Sequence, residues 1–563
     1  MPTVDIEPDE LRRLVGKDVP DDELIGDMFS LGLELEGWTE EVMELEFAPD
    51  RLDRLSVEGI ARSLRYHYGM DRGVYVPRTS SPEWTFKVDA SVPAERPYVT
   101  GFIARGVDLD DTILPSLIQL QEKLHQTMGR RRRKGAIGMH DLTMLKGTSS
   151  DEGEKSISYV GVPGDGDRFV PLESDQELTP SETVTEHHIG RQYGHLVEDY
   201  EAFPAIYDDI GLFSLPPIVN GRRTTVTTDT RDLLIELTGT DQWTIDRMGT
   251  ILAYALDARG AQLEAVTVEY ADTHLERPEL EVRTKHVSHD RIENVIGVSF
   301  TQEEVVDHFE RAGLDVDIED GRYGVSIPPY RVDVLHPLDL IDDLGRAYGF
   351  NELEPRYPDV STIGGRTPQS RLEDAVREQL IGMGFEDLLN FHLIGSSLNF
   401  DRMGLTPGAD DFGADEAPRI HEPYSEEYEL VRTWALPSLM LVLENNTHRR
   451  YPQHLAEIGL VTHLDPDEPT GVAEQRDIAA VMADTEAGYE DAKARLQFLA
   501  AQHGVELETP PIEHPTFLEG RVATVHFEGA PAGIVGEIHP RVLEEFDLEV
   551  PVAAFEIALD ALG

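Results

Sequence analysis

The chain has 563 residues with 108 Asp plus Glu against 49 Lys plus Arg, a formal charge of −59, and no cysteine. The missing cysteine excludes disulfides, thiolate zinc sites and cysteine nucleophiles. The 40 % apolar content predicts several folded domains rather than disorder.

Only 8 of the cations are Lys. Self-repulsion at this charge opposes a compact fold at ordinary ionic strength, whereas molar salt cuts the Debye length to about 3 Å. Because the acids are scattered rather than blocked, the charge reads as adaptation to a salt-rich cytosol. "MPTVDIEPDELRRL" lacks a basic start followed by an apolar run, so no signal peptide is expected. No stretch of 18 apolar residues suggests a membrane span, and the expected location is cytoplasmic.

Residues 1–95 read as a small N-terminal α/β unit that carries short amphipathic helices. Leu11, Leu14 and Val15 recur at helical spacing, and a helix is predicted from about Ser56 to a stop at Gly69. The prolines of 77–97 predict a connection or irregular strands. Residues 96–270 read as a mixed α+β domain. "YVTGFIARGV" predicts a strand, and "LPSLIQLQEKLHQTMG" a helix ended by Gly129. "GRRRRKG" (129–135), the one dense basic run, reads either as a solvated helix end or as a phosphate contact through Arg130, Arg131, Arg132, Arg133 and Lys134. Asn220-Gly221 predicts a hairpin turn between an apolar and a Thr-rich strand. In "DLLIELT" Glu236 and Thr238 share one face, opposite Ile235 and Leu237. A long helix follows over 240–260. "HHIGRQYGH" (187–195) reads as a loop rather than a nucleotide signature or zinc site.

Residues 271–353 form a smaller unit with a capping box at Thr301 and Glu304 and two strands around Asp320-Gly321. Its last stretch, "YRVDVLHPLDLIDDLGRAYGF", predicts a helix from Pro337 to Gly349. Asp339, Asp342 and Asp343 fall on one arc of it, and Asp333 precedes it. The four acids read as a solvated face or as ligands of a hard divalent ion that relieves their repulsion, since no Lys or Arg lies between Asp333 and Asp343. A Pro/Gly linker leads to a last unit, 366–563, of mixed helices and strands. No P-loop, nucleophile elbow or H-E-x-x-H motif occurs.

"PDRLDRLSVEGIARSLR", "QEKLHQTMGRRRRKGAIGMHDL", "SLPPIVNG" with "IELTGTD", the 330–350 stretch, "AEIGLVTH" and "GEIHPRVLEEFDLEVPVAAFEI" appear in an order that resembles the β subunits of archaeal and eukaryotic phenylalanyl-tRNA synthetases. The resemblance implies an α₂β₂ ligase charging tRNA(Phe) with phenylalanine and ATP, its synthetic site on the α subunit. In agreement, 366–563 holds no G-x-G-x-x-R element for ATP. That unit then reads as a catalytically degenerate class II core with an antiparallel sheet, and Arg432 as structural. The resemblance further implies Mg²⁺ on Asp333, Asp339, Asp342 and Asp343 at the contact with α. It implies an editing domain over 96–270 that hydrolyses Tyr-tRNA(Phe), with Ser214, Glu236 and Thr238 in the pocket; Glu236 stands where the family often carries Asp. The alternative is a tRNA-binding or assembly scaffold of the same complex without editing.

Overall fold

The structure, a computed structural model, describes residues 3–39, 42–48, 50–149, 155–319, 321–358 and 360–563, and divides into two compact units, 1–357 and 358–563. At the start of the first unit, the strands Thr3–Ile6, Met43–Phe47 and Leu33–Trp38 form a small antiparallel sheet in that order. Helix Pro8–Val15 buries Leu11 and Val15, two of the three positions its periodicity singles out; Leu14 is half-buried. Helix Val57–His67 starts where expected: Ser56 caps it by accepting from the Gly59 amide, and Gly69 turns away in the left-handed region.

An eleven-stranded sheet dominates this unit. Of the two expectations for 77–97 the irregular strand holds: Thr79–Val88 runs parallel to both Gln262–Glu269 and Lys155–Val162, with a register shift against the former. Pro82 is tolerated because the register with Gln262–Glu269 shifts between the Ser80 and Trp84 pairings, so no ladder bond is demanded of it. The expected Asn220-Gly221 hairpin is replaced. Gly211–Leu215 pairs with Val219–Asn220, so the chain reverses at Pro216-Pro217-Ile218. Gly221 instead opens a short 3-10 turn, Arg222–Thr224, where a Thr-rich strand was expected.

Asp232–Gly239 lies between Tyr98–Arg105 and Gly135–Asp141. One of its faces, Leu233, Ile235 and Leu237, packs into the core under helix Gln242–Ala258, whose start Asp241 caps. The other carries Glu236 and Thr238, as the alternation predicts.

Further on, Arg283–Ser288, Arg322–Ile327 and Asp315–Glu319 form a three-stranded antiparallel sheet. Asp320, half of the expected turn, lies outside the described residues. The Thr301–Glu304 capping box is present, and helix Pro337–Tyr348 buries Leu340, Ile341 and Leu344 against Val305 and Phe309.

The second unit is built on a seven-stranded sheet, antiparallel except where Glu386–Leu388 runs beside Gln453–Leu464. Along Val472–Ala483, Ala479, Val481 and Ala483 enter one core while Ile478, Ala480 and Met482 enter another. Helices thus cover both faces of a sheet that has no wet side.

Candidate functional site

Glu236 sits mid-strand with glycine on both sides: Gly101 and Gly138 are its cross-strand partners. Its carboxylate is 1 % exposed. Ser214 Oγ donates to Oε1 at 2.8 Å, while Oε2 has no partner. His140 Nε2 lies 3.7 Å from Oε1 and is likewise unpartnered; its Nδ1 is 2.8 Å from Thr224 Oγ1. A Cβ at position 138 would stand 2.3 Å from Glu236 Oε1 and 2.9 Å from His140 Nε2, so the glycine keeps this space open. Glu236 and Ser214 line a cavity of about 320 Å³ walled by Met139, Ile137, Ile218 and Val226. An unsatisfied buried carboxylate oxygen costs free energy, and a hydrogen-bond donor entering the cavity would recover it.

Thr238 shares the face but not the cavity. Its hydroxyl accepts from Arg96 Nε at 2.9 Å and its carbonyl from Arg96 Nη2 at 2.7 Å. The expectation of a pocket residue is therefore corrected: Thr238 does not line the cavity and instead holds a fully buried arginine. Arg96 also donates to the carbonyls of Arg132 and Arg133, both at 3.2 Å, tying the basic run to the strand that carries Glu236. Sequence reasoning missed Arg96, His140 and Gly138. The alternation of "GAIGMHD" places Gly138 and His140 on one face, but only the pairing shows which neighbour they meet.

The basic run is not one patch. Arg130, Arg131 and Arg132 adopt φ of 48°, 55° and 64°, three successive side-chain-bearing residues in the left-handed region, an arrangement that costs about 1 kcal/mol per residue. Arg132 turns inward, donating to the Ile218 carbonyl (3.0 Å) and to Glu122 (2.9 Å). Lys134 pairs with Asp241 at 3.3 Å. Arg130, Arg131 and Arg133 are exposed, and among the described residues their side chains make no ion pair.

The four aspartates behave differently from the expected repulsive set. Arg331 donates to Asp333 at 2.9 and 2.6 Å and to Asp343 at 2.7 Å. Arg346 donates to Asp342 at 2.8 Å. Asp339 Oδ2 accepts from the amides of Leu335 and His336 (2.7 and 2.6 Å), closing the helix N-terminus. Relief thus comes from two arginines just outside the acidic window and from the helix itself. Burial opposes the charged form of both inner carboxylates. In Asp333 Arg331 outweighs it and holds the group below the usual range, whereas in Asp343 burial prevails and pushes it up. The donors are the hard oxygens a divalent ion takes, but as folded they do not fit one. Among the described residues no three His, Asp or Glu side chains are grouped as a metal set.

His188 begins a short helix, His188–Tyr193, rather than lying in a loop, and its Nε2 is 3.1 Å from Glu173. In the second unit Arg432 is 0 % exposed and bidentate to Glu457 at 2.7 and 3.1 Å.

Residues 285–350 match the tRNA synthetase B5 domain, and residues 353–559 the phenylalanyl tRNA synthetase beta chain CLM domain. Over the full length of both chains the protein is 63 % identical to the phenylalanine–tRNA ligase β subunit of Natronomonas pharaonis and 62 % identical to that of Halobacterium salinarum. It is 35 % identical to that of Methanocaldococcus jannaschii, again over the whole of each chain. An N-terminal fragment of the phenylalanyl-tRNA synthetase β subunit from Pyrococcus horikoshii superposes with a TM-score of 0.59 at 31 % identity, over 62 % of this chain and 99 % of the fragment. With such identity end to end, and salt-loving archaea among the relatives as the acidic composition anticipates, the chain belongs to the phenylalanine–tRNA ligase β-subunit family.

Proposed function

We propose that the pocket around Glu236 hydrolyses tRNA(Phe) mischarged with tyrosine. In this reading an α subunit charges tRNA(Phe) with phenylalanine and ATP within a cytoplasmic α₂β₂ particle. The observation that carries it is the free Oε2 of Glu236 on the wall of a cavity that mixes apolar side chains with polar ones such as Gln121, Asn220 and Thr224, with Ser214 fixing the other oxygen. A tyrosyl phenol donates to that oxygen, whereas a phenyl ring leaves it buried and unmet. A site built to bond a hydroxyl discriminates against the analogue lacking it by about 10⁴-fold, which an apolar synthetic pocket facing the reverse problem cannot match. Deacylation of Tyr-tRNA(Phe), but not Phe-tRNA(Phe), by the α–β complex is the expected result. A silent complex that still charges tRNA would make the chain a scaffold.

Arg130, Arg131 and Arg133 are proposed as a local contact for the tRNA backbone. They are cations without acidic partners, presented by a turn that Arg96 anchors beside the pocket. Replacing all three with Gln should flatten the salt dependence of tRNA binding, and an unchanged slope would remove them from the interface.

Mg²⁺ on Asp333, Asp339, Asp342 and Asp343 is proposed only for the assembled particle, because an ion reaching the full set must displace Arg331 from two of them. No catalytic step is assigned to it. Asp342→Asn should raise the Mg²⁺ concentration needed to hold α and β together; an unchanged requirement would count against the site.

A further inference from the structure

Between the N-terminal helices and helix Pro337–Tyr348 lies a second, smaller cavity of about 40 Å³, bordered by Arg51, Arg54, Arg311 and Arg346. Arg51 is paired with Asp53, and Arg346 with Asp342 and Asp50. Arg54 is 5 % exposed and bonds only neutral oxygens, Ser63 Oγ at 3.0 Å and the Leu31 carbonyl at 2.5 Å. Arg311 reaches only the His67 carbonyl at 3.1 Å. Neither forms an ion pair among the described residues, in a chain where acids outnumber bases by more than two to one. The one acid on the cavity wall, Asp343, is already engaged by Arg331.

We infer that this cavity binds a monatomic anion, chloride in a salt-rich cytosol. Two cations that make no ion pair among the described residues, one of them buried, face a space that holds about three water-sized spheres. Water can fill such a space but cannot neutralise it; a halide does both, and a polyatomic anion is a poor match for its size. Burial first, and then the nearby charges of Arg51, Arg331 and Arg346, push the Arg54 guanidinium down to about 9 despite Asp53. A weak site suffices in that setting. With a dissociation constant on the order of 10 mM it would be about 99 % filled in molar chloride, and it would empty at low salt.

Crystals of the full chain, alone or with its α partner, grown in KBr and measured at the bromine edge test this. The expected result is an anomalous peak in the cavity within hydrogen-bond reach of Arg54. An empty or water-filled cavity, while bromide appears elsewhere in the same crystal, overturns the inference, as does sulfate occupying the cavity in preference to halide. In solution, replacing KCl with potassium methanesulfonate at equal ionic strength should lower the Tm by about 2 °C or more in the wild type. The drop should be smaller in Arg311→Gln, a partly exposed position that does not threaten folding. The same anion dependence in both proteins also overturns it.

Discussion

Two buried carboxylates in the second unit, Glu556 and Glu457, contrast with one in the first, Glu236. In the second unit Glu556 uses both oxygens, Oε1 on the Ala435 amide (2.7 Å) and Oε2 on the Leu436 amide (2.9 Å), where helix Leu436–Asn445 begins. Glu457 likewise gives both oxygens to Arg432. In the first unit Glu236 is buried as deeply yet keeps one oxygen idle beside a cavity that Gly138 leaves open. A buried acid with both oxygens engaged has recovered its desolvation cost; one with a spare oxygen has not.

The largest effect should come from breaking the satisfied pair. Arg432→Ala leaves Glu457 charged in the core with only Asn390 still donating to it, and should destabilise the second unit by about 3–5 kcal/mol, measured by denaturant unfolding. A loss below about 1 kcal/mol would mean that the two regions do not differ as described. Gly138→Ala is the next largest. Its methyl must sit against Glu236 and His140, costing about 1–3 kcal/mol through overpacking. Tyr-tRNA(Phe) deacylation should fall while aminoacylation continues; full deacylation would place the substrate's ring elsewhere.

Local punctuation made part of this legible from sequence. Pro337 and Gly349 bracket a helix, Thr301 and Glu304 cap one, and Ser56 starts one, each within a few residues of what it controls. The alternation in "DLLIELT" placed Glu236 and Thr238 on one face correctly. What the alternation could not show was which of the two meets a cavity and which meets Arg96, 142 residues away. Arg331 was overlooked for a nearer reason. It lies two residues before Asp333, outside the window in which the acids were counted, and only the fold brings Asp343 back to it. Likewise, the prolines at 216 and 217 carry the chain reversal that Asn220-Gly221 advertises. Ser214 meeting Glu236 was expected from family resemblance alone, since nothing local links positions 22 residues apart.

The central claim is that the idle oxygen of Glu236 recognises a phenolic hydroxyl. Deacylation of Tyr-tRNA(Phe) by the α–β complex carrying Glu236→Ala, with phenylalanine charging measured in parallel, tests it most directly. At least a hundredfold loss of deacylation is expected with charging and fold stability intact, about 3 kcal/mol of transition-state discrimination. Deacylation at the wild-type rate would contradict it.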